Sequence, residues 1–201
     1  MHMAESLTIL VKEIKKCSLC LQHFPHGVNP VLQISSSAKI IIAGQAPGLK
    51  VHQSGIPFDD KSGERLRQWL GIDAQTFYDD EQVAILPMAF CYPGKGKTGD
   101  LPPRPECAKT WRSKLLQHLP NIQLIITIGS YAQNWHLPEK KEKTLTETVK
   151  NWQFYLNNSA PAILPIPHPS PRNNIWLKKN AWFEKEVVPV LQDQIENILY
   201  K

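Results

Sequence analysis

Four short apolar runs constrain this chain more than any other feature: Lys39–Ala43 (KIIIA), Val83–Leu86 (VAIL), Gln123–Ile128 (QLIITI) and Ala162–Ile166 (AILPI). They are rich in β-branched residues and do not alternate with polar ones, as expected of strands buried on both faces. Between them the pattern turns helical, at Ser62–Leu70 (SGERLRQWL), at Cys107–His118 and from Gly129 through SYAQNWHL. Strands alternating with helices predict a parallel sheet covered on both faces, the α/β class. Ser62 is placed to cap its helix, although Glu64 falls one residue short of a capping box. A short helix is expected over 4–16 and an amphipathic closing helix over 180–200. Residues 140–150 read as a charged helix or a solvated loop. Residues 24–30 and the Gly/Pro/Lys-rich stretch 92–106 read as loops. There is no internal repeat and no second domain, so residues 1–201 are expected to form one domain, long enough for a sizeable core.

In sheets of this kind ligands bind beyond the carboxyl ends of the strands. Three segments follow strands directly: the turn Gly44-Gln45-Ala46-Pro47-Gly48, the stretch Pro87–Cys91, and the loop His168-Pro169-Ser170-Pro171. All three are predicted to meet at one edge of the sheet. The formal charge of +5 is a modest basic excess that favours a polyanion partner. Lys95 and Lys97, in PGKGKTGDLPPRP, are candidates for phosphate contact, or else belong to a solvated surface loop. No apolar run approaches the roughly 20 residues that span a bilayer. No signal-peptide pattern opens the chain. A cytoplasmic monomer with no membrane partner is expected.

The chain has four cysteines. Cys17 and Cys20 form a CxxC pair within reach of one metal centre, and Cys91 and Cys107 follow with fifteen residues between them. Four thiolates complete a ligand set for zinc or for an iron–sulfur cluster, and the ligand list alone does not separate the two. Disulfides are rare in cytosolic chains. Cys91 and Cys107 also suit the role of small buried apolar residues.

Gly44 and Gly48 permit close backbone approach to a ligand. Gln45 can orient a water or bond a base edge but cannot take a proton. Downstream, GIPFDD places Phe58, able to stack on a flipped base, beside Asp59 and Asp60. His168 ends a strand in a proline-stiffened loop, where a neutral imidazole can stabilise a leaving anion through one N–H.

These motifs, in this order and spacing, resemble the uracil-DNA glycosylase superfamily. GQAPG is similar to its first motif and HPSPRNN to its second, with HPSPR resembling the single-strand-selective branch. GIPF is similar to the region of the base-stacking phenylalanine. The four cysteines resemble those of the thermostable iron–sulfur branches. The likeness runs from about Cys17 to Asn174.

The resemblance implies a three-layer α/β/α fold with a four-stranded parallel sheet and a structural [4Fe-4S] cluster on Cys17, Cys20, Cys91 and Cys107. It implies a DNA partner and hydrolysis of the bond between a flipped, damaged base and its deoxyribose, with water as nucleophile. Carried over by position, His168 stabilises the leaving base and Phe58 stacks on it. Gln45 and the amides around Ala46 hold the base or the water. Asp59 or Asp60 is a candidate to orient the water where the family's own residue is missing, or else is exposed or caps a helix. Arg172 takes the place of the residue that probes the duplex, or contacts phosphate, with Ser170 beside it. Two positions depart from the pattern. Ala46 and Gln45 stand where many members carry an acidic or amide water-orienting residue. Pro87 stands where the family places its base-reading asparagine. An alternative reading is therefore a catalytically weak or inactive nucleic-acid-binding module on the same fold.

Overall fold

The computed structural model describes residues 6–137, 139 and 141–201. The start of the expected first helix (Ala4, Glu5) and Lys140 lie outside the described residues. Helix α1 (Leu7–Lys15) begins at Ser6, whose side chain accepts the Ile9 amide, and buries Leu10 and Ile14. The chain then runs through β1 (Ile40–Ala43), α2 (Leu49–Ser54), α3 (Lys61–Leu70), α4 (Ala74–Phe77) and β2 (Val83–Ile85). Helix α5 (Pro105–Cys107) continues through a π-turn (Ala108–Arg112) into α6 (Ser113–Gln117), followed by β3 (Leu124–Ile128) and α7 (Gly129–His136). Helices α8 (Leu145–Lys150) and α9 (Trp152–Asn157) lead to β4 (Ala162–Ile166), and α10 (Asn174–Lys179) follows it. A second π-turn (Phe183–Val187) opens α11 (Val188–Tyr200).

The four strands pair in the order β2-β1-β3-β4, all parallel. Side chains alternate between two cores. Ile40, Ile42, Val83, Ile85, Leu124, Ile126, Leu164 and Ile166 pack with residues of α3, α4 and α11. Ile41, Ala43, Ala84, Ile125 and Ile163 pack on the other face with residues of α1, α6, α7 and α9. The result is the three-layer α/β/α arrangement. Pro165 sits in β4, where the missing N–H costs no ladder bond because β4 is an edge strand. No described helix is long and apolar enough to cross a membrane.

Several local expectations are corrected. Ser62 does not cap α3. Asp60 does, accepting the Gly63 amide at 2.9 Å, and Ser62 is buried inside the first turn. The stretch 92–106 is not all loop. Gly94–Leu101 is a hairpin closed by Leu101 N–H to the Gly94 carbonyl (2.9 Å) and a Lys95–Asp100 bridge. Helix 107–118 starts two residues early, at Pro105, and carries a π-turn. The charged stretch becomes helical only at Leu145, where Thr144 and Glu147 complete a capping box. The closing helix starts at Phe183 rather than Asn180.

One contact places the first functional side chain. Phe58 has φ of 54°, the left-handed region that costs a non-glycine residue about 1–3 kcal/mol unless its surroundings hold it. Its surroundings do: a Cβ at Gly63 would stand 1.8 Å from the Phe58 carbonyl oxygen, so only glycine lets α3 approach this closely. The Phe58 ring meets Phe77 edge-on at 6.1 Å. Gly63→Ala therefore has a sign that separates two effects. Helix propensity alone would stabilise the protein by about 1 kcal/mol. The clash should instead destabilise it by about 1–3 kcal/mol in urea unfolding.

Candidate functional site

A cleft of about 730 Å3 opens along the carboxyl edge of the sheet. The GQAPG turn, Phe58, Asp60, Pro87, Tyr92, the 94–101 hairpin and the HPSPRN loop line it. The three strand-following segments thus meet as expected. They are tied to one another by backbone: Met88 N–H donates to the Gly44 carbonyl (2.8 Å) and Ala89 N–H to that of Gln45 (3.1 Å). Arg65 on α3 reaches the Ser170 carbonyl at 3.3 Å.

His168 is half-buried at the end of β4. Its Nδ1 accepts the Ser170 amide at 3.1 Å, so in the neutral ring the proton is assigned to Nε2. Asn173 donates to the His168 carbonyl at 2.8 Å and fixes the loop from behind. Burial pushes the imidazole below its ordinary value, against the pull of Asp60 and Asp100 and with a smaller push from Arg172. The ring is therefore neutral near pH 7, a donor through Nε2–H without a positive charge of its own.

Gln45 is half-buried and donates its side-chain amide to the Leu101 carbonyl at 3.1 Å, which pins the hairpin to the first turn. Its Oε1 is left to accept from a ligand or a water. Phe58 lies against the same turn, its ring 3.6 Å from where a Gly44 Cβ would be. Ala46, Lys95, Ser170 and Arg172 also line the cleft. Two expected residues do not. Asp59 is exposed and outside the lining, because the turn into α3 presents its neighbour Asp60 instead. Lys97 is exposed near the hairpin tip, away from the cleft wall.

Pro87 contributes only apolar surface. Its carbonyl and that of Leu86 accept from Arg112, at 3.3 and 2.9 Å. Arg112 is 1% exposed, and its remaining bond goes to Nε2 of His136 at 2.7 Å. Burial pulls Arg112 down to about 10, opposed by the Cys107 sulfur, so it stays protonated at neutral pH. Burial, reinforced by Arg112, drives His136 down to about 3, which keeps it a neutral acceptor.

The four cysteines are free and line one small apolar cavity with Leu19, Phe24, Val28 and Ala89. Cys107 Sγ accepts the Phe90 amide at 3.4 Å. Among the described residues, no three His, Cys, Asp or Glu side chains converge to hold a single metal ion. A tetrahedral zinc site would need its sulfurs about 4 Å apart. Burial pushes the Cys20 thiol up, Cys91 to about 11 and Cys107 to about 12. Four thiolates in this cavity need a cationic core to balance them. The sequence pattern did not single out Tyr92, Asp100, Arg65, Asn173 or Arg112. An arginine in an amphipathic helix reads as a solvent-facing residue, and nothing in its spacing marks it as buried. Asp60 did carry a signal, an acidic residue directly before a helix.

The fold and cleft define a protein of the doubly wound α/β type with its ligand site at the sheet's carboxyl edge. The profile of the uracil DNA glycosylase superfamily matches residues 32–192, and the chain belongs to that family. It is similar to the Type-4 uracil-DNA glycosylase of Thermotoga maritima, 26% identical over 173 residues that cover 85% of each chain.

The Arg112–His136 pair gives a pH test. The unfolded chain takes up a proton on His136 near pH 6.5, the folded protein only near 3. The unfolded state therefore binds more protons in that window, so this stability is complete above about 6.5 and lost as pH falls toward 3. His136→Gln keeps an acceptor for Arg112 without titrating. Its unfolding free energy should fall less steeply between pH 6.5 and 4, by up to about 1.4 kcal/mol per pH unit. Equal slopes would mean that His136 does not titrate in this window.

Proposed function

We propose that this protein is a monofunctional DNA glycosylase that removes uracil or another deaminated base, and that His168 carries the chemistry. The observation behind this reading is the neutral, oriented imidazole of His168 in the cleft that Phe58 also lines, in a chain of this family. A flipped nucleotide enters the cleft and its base stacks on Phe58. The bond from C1′ to the base nitrogen breaks, and its electron pair leaves with the base. His168 Nε2–H donates to the oxygen on which that charge gathers. A water held by Gln45 Oε1 attacks C1′, with Asp60 near enough to His168 to favour the developing positive sugar. The water's second proton passes to the departing base or to solvent. The products are a free base and an abasic site. Arg172, Lys95 and Ser170 line the mouth on the side where phosphates pass, and Lys97 extends that surface.

The cysteine set supports a [4Fe-4S] cluster held by Cys17, Cys20, Cys91 and Cys107. Four free thiols around one apolar cavity, in the spacing that resembles the iron–sulfur branches, favour a polynuclear centre over zinc. When bound, such a cluster would supply four metal–thiolate bonds joining the N-terminal segment, the β2 exit and the α5 helix. A reducing cytoplasm suits these free thiols. Anaerobically purified protein should carry about four irons with broad visible absorption. Cys107→Ser should lose both iron and thermal stability. Stoichiometric zinc without iron would refute the cluster.

The catalytic test is single-turnover base release from oligonucleotides carrying uracil, hypoxanthine or xanthine. Wild type should release at least one. His168→Ala should slow release by about 100- to 1,000-fold while DNA binding persists. Salt-sensitive binding with no release by wild type would favour the non-catalytic binding module, the reading that Pro87 and Ala46 support.

A further inference from the structure

We propose that Asp100, carried on the hairpin that Gln45 pins to the first turn, reads the edge of the bound base in place of a group at the end of β2, and that it selects bases presenting a ring N–H. This rests on the base-binding reading of the cleft.

The case begins with which polar groups of the cleft are already engaged. Pro87 has no donor, and its carbonyl and that of Leu86 turn to Arg112. The next two amides, of Met88 and Ala89, donate to the carbonyls of Gly44 and Gln45. Pro87, which lines the cleft from this exit, therefore offers it no donor, and its carbonyl is already engaged. Gln45 has committed its amide N–H to Leu101. Ser170 Oγ accepts the Arg172 amide, and the Asn173 amide donates to His168. Asp60 uses Oδ1 to cap α3.

Asp100 is placed differently. It lies on the hairpin that Gln45 pins to the first turn, and its Oδ2 is 3.8 Å from where a Gly48 Cβ would stand. Burial, and after it the nearby Asp100 carboxylate, pushes the Tyr92 phenol up, so the two side chains lie close together at the cleft wall. Tyr92 is 2% exposed and held by packing. Asp100 itself is exposed at the cleft wall, open to a ligand. Gly99 brings the same hairpin to within 3.1 Å of the Arg172 guanidinium, measured from its would-be Cβ, so the hairpin bridges both motif loops.

A carboxylate can only accept. It pairs with the ring N–H of uracil, hypoxanthine or xanthine. At the corresponding atom cytosine and adenine carry a lone pair, which a carboxylate repels. Deamination of cytosine or adenine converts that lone pair into an N–H, so one acceptor at this position separates uracil from cytosine and hypoxanthine from adenine. Guanine keeps a ring N–H, and its rejection falls to the energy of unpairing it from cytosine.

The test uses the full chain as wild type, Asp100→Ala and Asp100→Asn, with two readouts. The first is single-turnover release from oligonucleotides carrying uracil, hypoxanthine or cytosine, alongside affinity for an abasic oligonucleotide. The second is equilibrium binding of free uracil and free cytosine, observed by NMR. Asp100→Ala should slow release of the deaminated bases by roughly 10- to 100-fold, with abasic affinity unchanged. Asp100→Asn, whose amide can donate, should lose the preference for uracil over cytosine in both readouts. Unchanged discrimination in Asp100→Asn overturns the proposal. So does a loss of abasic affinity as large as the loss in rate, which would mean that Asp100 serves only the hairpin. If wild type releases no base yet binds free uracil over cytosine in an Asp100-dependent way, the glycosylase reading fails and this one stands.

Discussion

The level register of the parallel sheet is the constraint on which the rest depends. Ile42 pairs with both Ile85 and Ile126, and Thr127 with both Ala43 and Pro165. Strands aligned in this way release their chains along one edge of the sheet. Gly44, Leu86 and Pro167 all leave at that edge, and the cleft lies across their exits. A one-residue slip of any strand would exchange its two faces between the two cores. That burial penalty is what locks the loops at that edge. The β1–β3 boundary is also where connections change sides, since the α3 and α4 helices cover one face and α6, α7 and α9 the other. A crevice at the edge of such a boundary follows from topology before any functional residue is considered.

Within that frame, the site is built by loops hydrogen-bonding to loops rather than by the elements themselves. The β2 exit hangs on the first turn through two amides, the hairpin on the first turn through Gln45, and the histidine loop on α3 through Arg65. Each bond engages a polar group that would otherwise face the ligand. The remaining donors and acceptors are few, and they define what the cleft can recognise. Neutral His168 is one of them only because its Nδ1 is already occupied by Ser170. A ring free to present either nitrogen would lose that directionality.

The sheet was legible because β-branched runs without alternation have one common explanation, burial on both faces, and the meeting of three loops followed from it. Helix boundaries were less legible. The Asp60 cap and the π-turn before Arg112 depend on packing against Phe58 and the β2 exit, and neither neighbour is visible in local pattern. Phe58 and His168 stood out because glycine, proline and a strand end flank them. Asp59 and Asp60 are adjacent carboxylates that the sequence treats alike, and only the turn into α3 separates exposed from cleft-lining. Lys95 and Lys97 divide because Lys95 sits at the paired base of the hairpin, bridged to Asp100, while Lys97 stands out toward its tip. Asp100 was hidden within a stretch whose Gly, Pro and Lys content suggested an unstructured loop.

Arg112 explains how a proline can occupy the end of β2. Two carbonyls at the exit from a parallel strand, buried and without ladder partners, would each carry a desolvation penalty of about 1–3 kcal/mol if left unpaired. One guanidinium satisfies both, from the π-turn Ala108–Arg112, which buries Trp111 and Arg112. The cation brings its own cost, since among the described residues no carboxylate pairs with it. A buried charge without a partner is worth several kcal/mol against folding. Its opposing electrostatic neighbour is the Cys107 sulfur, at the start of the same π-turn. The cysteine cavity and the apolar floor of the cleft are thus joined through one residue. The polar demands of the β2 exit are met from behind, and the base-facing side at Pro87 can be left without a hydrogen-bonding group.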